Sequence, residues 1–417
     1  MTSVVISPAN VASYPQGGGH FWVYMQYAQA LLRLGCDVYW LERFRRSGDE
    51  ASDRASMNLF LERAGNFGLA GKVILYTTRD TGAEERPCDF ITMPQAQAER
   101  IIDNADLLLN SYYAIEPALL RRFRRTAVVD IDPGLLQFWV SSGQITMPVH
   151  DLYFTTGETV GTPRACFSDC GVEWHHIRPP VELSLWPYHY EPSCTAMTTV
   201  SGWWGGDGKG EWITDGKDVL FENNKRVSFM QYVELPRHSP QVLELALCLG
   251  EGDPVEREQF QQHGHAWAAA APCPDDITDY VSDAKDRLIL EHYGWRVIHS
   301  SEAAGTPQRY QDYIQRSRGE FSCAKPSCMY FQNAWVSDRT ICYLASGKPV
   351  VVQDTGPSDY LPNGDGMFRF STLEQAIDAL AEINADYERH CRAARDIAET
   401  WFDARVILQQ MLDVALV

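Results

Sequence analysis

No apolar run in this chain approaches the ~20 residues that a helix needs to cross a bilayer. The start, Met1-Thr2-Ser3 and a short strand-like run, lacks the basic flank and apolar core of a secretory signal. A membrane span and secretion are therefore not expected, and the cytoplasm is the expected compartment. Metal-type cysteine spacing is missing too. The 11 cysteines are scattered and odd in number, Cys166/Cys170 and Cys323/Cys328 are not CxxC pairs, and no His-x-x-x-His completes a site. The expectation is buried thiols in a reducing compartment, with no metal site and no disulfide framework. Positive charge is scarce: 36 Lys and Arg against 55 Asp and Glu leave a net charge of −19. Nucleic-acid binding draws most of its affinity from neutralised phosphates, so extended nucleic-acid contact is not expected. The densest basic cluster, Arg121-Arg122-Phe123-Arg124-Arg125, reads as the solvated C-terminus of a helix. A GxxxxGK[ST] loop is absent, which argues against a P-loop nucleotidase. No carboxylate pair can be assigned to glycosidase chemistry, and no repeat or low-complexity tract is visible.

What is present is an alternation of strand and helix signals over 417 residues, 45% hydrophobic and 22% charged. That length implies two domains of roughly 180–220 residues. In the first half, strand-like runs fall at 4–7, 38–41, 73–76, 107–110, 127–131 and 152–155. Helical periodicity falls at 21–32, 96–102 and 114–123. A proline-rich stretch with Pro179, Pro180, Pro187 and Pro192 breaks the pattern. A second series has strands at 197–202, 295–299, 319–323 and 349–353, an apolar stretch at 243–249, and helices at 307–316 and 337–345. After Gly364-Asp365-Gly366 come helices over 373–382, 385–399 and 402–416. Such alternation predicts an α/β fold of two Rossmann-like, doubly wound domains facing a central cleft. The divisions read as residues 1–178, a linker at 179–194, a second domain at 195–400 and a last helix at 401–417.

Two constellations carry chemistry. Near the start, Val4-Val5-Ile6-Ser7 runs into Gln16-Gly17-Gly18-Gly19-His20, a turn whose backbone a ligand can approach closely before a helix begins. In the second half, Ser337-Asp338-Arg339 opens a helix, Gly347 caps it, and a Val-rich strand ends in Gln353-Asp354-Thr355-Gly356. Polar groups at the helix start and the strand end can converge on one ligand. Asp338 suits ribose hydroxyls and Arg339 a phosphate. Lys325, after the strand at 319–323, is either a phosphate partner or a surface lysine. Asp130 and Asp132, before Pro133-Gly134, make either an Asx turn or a catalytic contribution. Tyr112, Tyr113 and Trp139 follow strands of the first half, where aromatic rings stack on sugars or pack a core.

The run Leu344-Ala345-Ser346-Gly347-Lys348-Pro349-Val350-Val351-Val352 leading to Asp354-Thr355-Gly356 resembles the donor-binding region of GT-B glycosyltransferases. The Gly17-Gly18-Gly19-His20 turn is similar to the glycine turn of their first domain. The resemblance implies a hexosyltransferase-like enzyme whose donor is a nucleotide-diphosphate sugar, a UDP-sugar before others, and whose acceptor carries a hydroxyl. It implies no required cofactor or divalent metal. On the donor side it points to Ser337, Asp338 (where many relatives have Glu), Arg339, Asp354, Thr355, Gly356 and Lys325. Gly205 and Gly206 stand where such proteins have a glycine turn facing the diphosphate. On the acceptor side it implies Gly17, Gly18, Gly19, Tyr112, Tyr113 and Trp139. His20 would be the general base, with Asp130 or Asp132 as its orienting carboxylate, and the last helix would cross back to the first domain. His20 as a residue that only shapes the turn stays open. So do a sugar-nucleotide epimerase of the same fold, a non-catalytic sugar-nucleotide-binding protein, and a glucosyltransferase acting on hydroxylated bases in DNA.

Overall fold

The computed structural model describes residues 1–79, 87–205, 210–249 and 283–417. Eight strands form the first sheet: β1 (Ser3–Ser7), β2 (Asp37–Arg43), β3 (Val73–Thr78), β4 (Cys88–Phe90), β5 (Leu107–Asn110), β6 (Thr126–Asp130), β7 (Leu152–Thr155) and β8 (Trp174–His176). Their spatial order is β4-β3-β2-β1-β5-β6-β7-β8, parallel except at the β4 edge. β1 is buried along nearly its whole length and lies between β2 and β5, Val4 meeting Val38 and Leu107. A strand covered on both faces needs the unbroken apolar run that this segment has. The second sheet holds β9 (Ala196–Ser201), β12 (Val242–Leu247), β13 (Arg296–His299), β14 (Gly319–Ser322), β15 (Val350–Gln353) and β16 (Met367–Phe370) in the order β13-β12-β9-β14-β15-β16, all parallel. A small antiparallel hairpin, β10 (Trp212–Thr214) and β11 (Val219–Glu222), stands apart.

Several elements depart from the sequence expectation. β4, β8, β10 and β11 are three or four residues long, too short to show a period. β16 follows the Gly364–Gly366 turn directly, where helices alone were expected. The helix expected over 114–123 shrinks to Pro117–Leu120, opened by its own proline. A helix at Glu50–Ala64 has no counterpart in the expectation because it buries only Phe60 and Ala64 and so carries almost no apolar stripe.

The two sheets meet along a packed seam. The helix Gly18–Arg33 lies against the last helix, Ala404–Ala415, which returns to the first sheet after the long helix Tyr387–Trp401. Trp22 Nε1 donates to the carbonyl of Pro307 at 2.9 Å. Trp186, fully buried, sits edge-on to both Trp22 and Tyr310. Burying an indole of that size contributes about 3 kcal/mol. At the seam's end the Val181 N–H donates to the Phe402 carbonyl at 2.8 Å, and the Ala404 N–H donates to that of Val181 at 3.0 Å. The proline-rich stretch and the returning helix are thus stitched together where the chain passes between sheets. Among the described residues, no helix is long and apolar enough to cross a membrane.

Candidate active site

In a doubly wound sheet, ligands bind outside the carboxyl ends of the strands where the chain order reverses. The first sheet reverses between β1 and β5, the second between β9 and β14. His20 stands beside the first point and Arg339 at the second, and the two crevices face each other.

On the first side, His20 is the third residue of the helix Gly18–Arg33 and is partly exposed. Its Nε2 lies 2.7 Å from the carbonyl of Ala9, the second residue after β1. A carbonyl only accepts, so Nε2 carries the proton and Nδ1 keeps the lone pair. Burial lowers the His20 pKa, against the opposing pull of the Ala9 carbonyl and Asp132, which favours the neutral ring. The loop bearing Ala9 is held by Glu42, a residue that sequence reasoning missed: its carboxylate accepts from Ala12 N (2.8 Å) and Trp40 Nε1 (2.9 Å). A carboxylate directly after the apolar run Val38–Leu41 of β2 was the available signal, because a buried charge must find partners.

Asp130 and Asp132 separate in role. Asp130 is fully buried and accepts from Gln137 Nε2 and Thr155 Oγ1 at 2.8 Å, Asp132 N at 3.0 Å and the Tyr113 hydroxyl at 3.2 Å. Burial pushes it up to about 6 despite those donors. It organises the end of β6 and has no hydrogen bond to His20. Asp132 is exposed to the cleft. Burial by the walls raises its pKa, Lys325 and His20 pull it down, and Glu211 pushes it up. It is the carboxylate that senses both sides.

Of the glycine turn expected on the acceptor side, Gly17 is partly exposed, while Gly18 and Gly19 lie against the second domain. Gly18 is buried against the second domain, where a Cβ would fall 2.3 Å from the Thr306 carbonyl oxygen and 2.6 Å from that of Ala304. A Cβ on Gly19 would meet the Tyr310 ring at 2.9 Å. Both obstacles at Gly18 are backbone, so a methyl group there has to push the domains apart. Gly18→Ala is therefore expected to cost about 1–3 kcal/mol, as overpacked sites do. Gly17→Ala meets the Tyr14 ring at 2.5 Å and the His20 Cβ at 3.2 Å, both within the first domain, and should cost less stability. Paired melting curves of the two variants check this; equal destabilisation refutes the interdomain role.

A second interdomain contact closes the other end of the cleft. Gly134, at φ +83°, opens the helix Leu135–Ser141 and packs on Phe331, and Asn333 Nδ2 donates to the Pro133 carbonyl at 2.6 Å. Trp139 belongs to an apolar cluster shared by Leu135, Phe331 and Ile213. Tyr112 is buried in the first domain's core, its hydroxyl 3.4 Å from Arg43. Tyr113 is spent on Asp130. All three expected acceptor aromatics thus work in packing or in holding Asp130.

On the second side, Ser337 caps the helix Asp338–Ala345, its Oγ accepting from Arg339 N at 3.3 Å. Asp338 is half-buried, and burial, reinforced by Asp132 opposite, pushes it up to about 7. Arg339 spans the reversal point: Nε donates to Glu320 Oε1 on β14 at 2.7 Å and Nη1 to the Val200 carbonyl on β9 at 2.8 Å. Glu320 was also missed in sequence. Lys225 donates to the Cys323 carbonyl at 2.5 Å, and burial, with Arg339 nearby, lowers it to about 7. Lys325 pairs with Glu211 at 3.0 Å; burial works against its charge, but Glu211 and Asp132 outweigh it and hold the ammonium above its usual pKa. Asp354 accepts from Gly356 N at 3.0 Å and pairs with Arg369, and Thr355 Oγ1 donates to the Trp335 carbonyl at 2.8 Å. A small cavity lined by Cys323, Trp335, Ser337, Gln353, Thr355 and Arg369 joins the helix start to the strand end. Gly205 N donates to Asn224 Oδ1 at 2.8 Å, and Gly206 lies outside the described residues.

For a metal, Asp365, Glu382 and His390 come within ligand distance of one another. The Arg389 guanidinium lies among them, 3.0 Å from Asp365, 3.7 Å from Glu382 and 3.1 Å from His390 Nε2, so that place is already taken by a cation.

No protein-family model and no curated protein sequence matches the chain. Solved structures do. An alpha-glucosyltransferase in complex with UDP and a 13-mer DNA containing a central A:G mismatch aligns over 99% of this chain and 98% of its own, with a TM-score of 0.53 and 11% identity. Anabaena Alr3699/HepE in complex with UDP aligns over 99% of both chains, with a TM-score of 0.53 and 14% identity. The sucrose-phosphate synthase of Thermosynechococcus elongatus aligns over 99% and 98%, with a TM-score of 0.52 and 13% identity. At such identities the likeness speaks for architecture, and the architecture of this chain is the two-domain GT-B fold of glycosyltransferases.

Proposed function

We propose that the protein is a glycosyltransferase that moves a sugar, a hexose in the simplest case, from a nucleotide-diphosphate sugar to an acceptor hydroxyl. The observation that carries this reading is the opposition of His20 and Asp132 to Lys325 and Asp338 across one cleft, on a fold whose solved examples hold UDP. The first domain, taken as residues 1–178, receives the acceptor. The second, taken as 195–400, receives the donor, a UDP-sugar before others, with 179–194 linking them and 401–417 crossing back.

The chemistry follows from the groups present. The neutral His20 ring offers Nδ1 to the acceptor hydroxyl proton while that oxygen attacks the anomeric carbon. The bond from that carbon to the diphosphate breaks as the new one forms, and the configuration inverts. Negative charge then builds on the leaving diphosphate, where the Lys325 ammonium offsets it. Asp338 is suited to the ribose hydroxyls, and Ser337, Arg339 and Asp354–Gly356 to the rest of the donor. Closure of the two domains on the bound substrates would exclude water, which favours transfer over hydrolysis. These steps use side chains alone, so transfer is expected to persist in chelator.

The test is thermal melting with UDP-, GDP-, ADP- and TDP-sugars. A nucleotide sugar at about a hundred times its Kd adds about 2.7 kcal/mol to the folded state. The UDP-sugar should raise the Tm most, and no shift with any of the four would sink the donor assignment. Incubating the stabilising sugar nucleotide without acceptor separates the same-fold rival, since only an epimerase converts it alone.

A further inference from the structure

Three cations of the donor crevice are already matched by carboxylates, and a fourth, Lys225, is turned to the Cys323 carbonyl. Arg339 is held by Glu320, and both side chains are almost wholly buried, at 11% and 0% exposure. Arg369 is held by Asp354 and keeps 10% exposure. Lys325 and Glu211 form the accessible pair, 3.0 Å apart at 39% and 20% exposure. An entering dianion can therefore compete for Lys325 far more readily than for the two arginines.

Glu211 has a second anchor besides Lys325. Its Oε2 also accepts from Asn223 Nδ2 at 3.0 Å. Its backbone N–H donates to Asn224 Oδ1 at 3.0 Å, and its carbonyl accepts from Asn223 N at 2.8 Å. Asn223 is tied in turn to Ser327 N at 2.8 Å, and both asparagines are fully buried. Asp132 reaches Lys325 electrostatically from the other wall, so the ammonium stands between two carboxylates.

We infer that Glu211 is an internal competitor of the donor's diphosphate, a fixed negative charge that shares Lys325 with the incoming phosphates and sets how tightly a nucleoside diphosphate is held. The inference rests on the donor reading above. Its consequence is useful to a transferase: a site too attractive to a diphosphate would retain the leaving nucleotide after transfer, and Glu211 limits that retention.

The experiment is calorimetric titration of the full chain with uridine, UMP and UDP. Glu211→Gln keeps the shape and the Asn223 hydrogen bond but removes the charge. A unit charge roughly 5 Å from a phosphate in a largely aqueous cleft changes binding about fivefold. The variant should bind UDP about fivefold tighter, UMP about twofold tighter, and uridine unchanged. Added salt should shrink the gap. Glu211→Ala, which does not require Gln to fit, should move the same way, and Glu211→Asp, which keeps the charge, should stay within about twofold of the wild type. If Glu211 merely positions Lys325, neutralising it weakens UDP binding, and that sign overturns the inference. Equal tightening of uridine and UDP overturns it as well. Failure of the wild type to bind any of UDP, GDP, ADP and TDP defeats the donor reading itself, which distinguishes the two failures.

Discussion

His20→Ala is expected to lower kcat about 10²–10⁴-fold while leaving UDP binding within a factor of about two. The loss belongs to the rate because His20 stands on the first domain, across the cleft from the donor groups. The alanine variant alone is ambiguous, since it also removes the hydrogen bond to the Ala9 carbonyl. His20→Gln resolves this: its longer amide can still donate to Ala9 from the place of Nε2, but it has no basic nitrogen. Glutamine should be as slow as alanine. Recovery to within about threefold of the wild type would leave His20 only the task of shaping the turn. The pH profile is a second readout. Burial lowers the His20 pKa, so the basic form persists below the usual histidine value of about 6.5, and the acid limb of kcat/KM should lie below that value. Asp338, pushed up to about 7, can add a limb of its own, so an acid limb above the usual histidine value that survives in Asp338→Asn contradicts a buried histidine base.

The parts of the molecule that a sequence can reveal are those where one residue's environment is set by its neighbours in the chain. Alternation of apolar strands and helices gave the doubly wound class, because a strand buried on both faces must be apolar throughout, as Val4–Ile6, Leu107–Leu109 and Val350–Val352 are. The last helix folding back onto Gly18–Arg33 was legible through family resemblance, not through periodicity. Short edge strands escaped because three residues hold no period. The site was legible as residue types but not as pairings. Glycine at 18 signals close approach, yet nothing local says that the approaching group is the Thr306 backbone, 288 positions away. Asp130 and Asp132 look equivalent two residues apart. Burial at the end of β6 makes one an acceptor of four hydrogen bonds, and the turn that follows leaves the other facing the cleft. Glu42, Glu211 and Glu320 were passed over for the same reason, since each matters through a partner distant in sequence.

The Arg339–Glu320 pair is the strongest case of that kind. Glu320 is fully buried on β14, its Oε1 taken by Arg339 and its Oε2 without a partner among the described residues. Arg339→Met should therefore leave a buried carboxylate uncompensated, at a cost of about 3–5 kcal/mol in the unfolding of the second domain. The same change cuts the link from Arg339 to Val200 on β9, and with it a tie across the reversal point of the sheet. The double variant Arg339→Met/Glu320→Gln removes both charges, and most of the stability should return, because a buried ion pair is worth little against neutral groups of similar size. UDP binding should not return with it. If Arg339 meets the donor phosphate, that contact is missing in the single and the double variant alike. Urea unfolding and UDP titration of the three proteins thus separate support from recognition. A loss below about 1 kcal/mol in the single variant would show that the pair does not hold the crevice. Restored UDP binding in the double variant would show that Arg339 acts only by neutralising Glu320, and would shift the burden of holding the diphosphate onto Lys325.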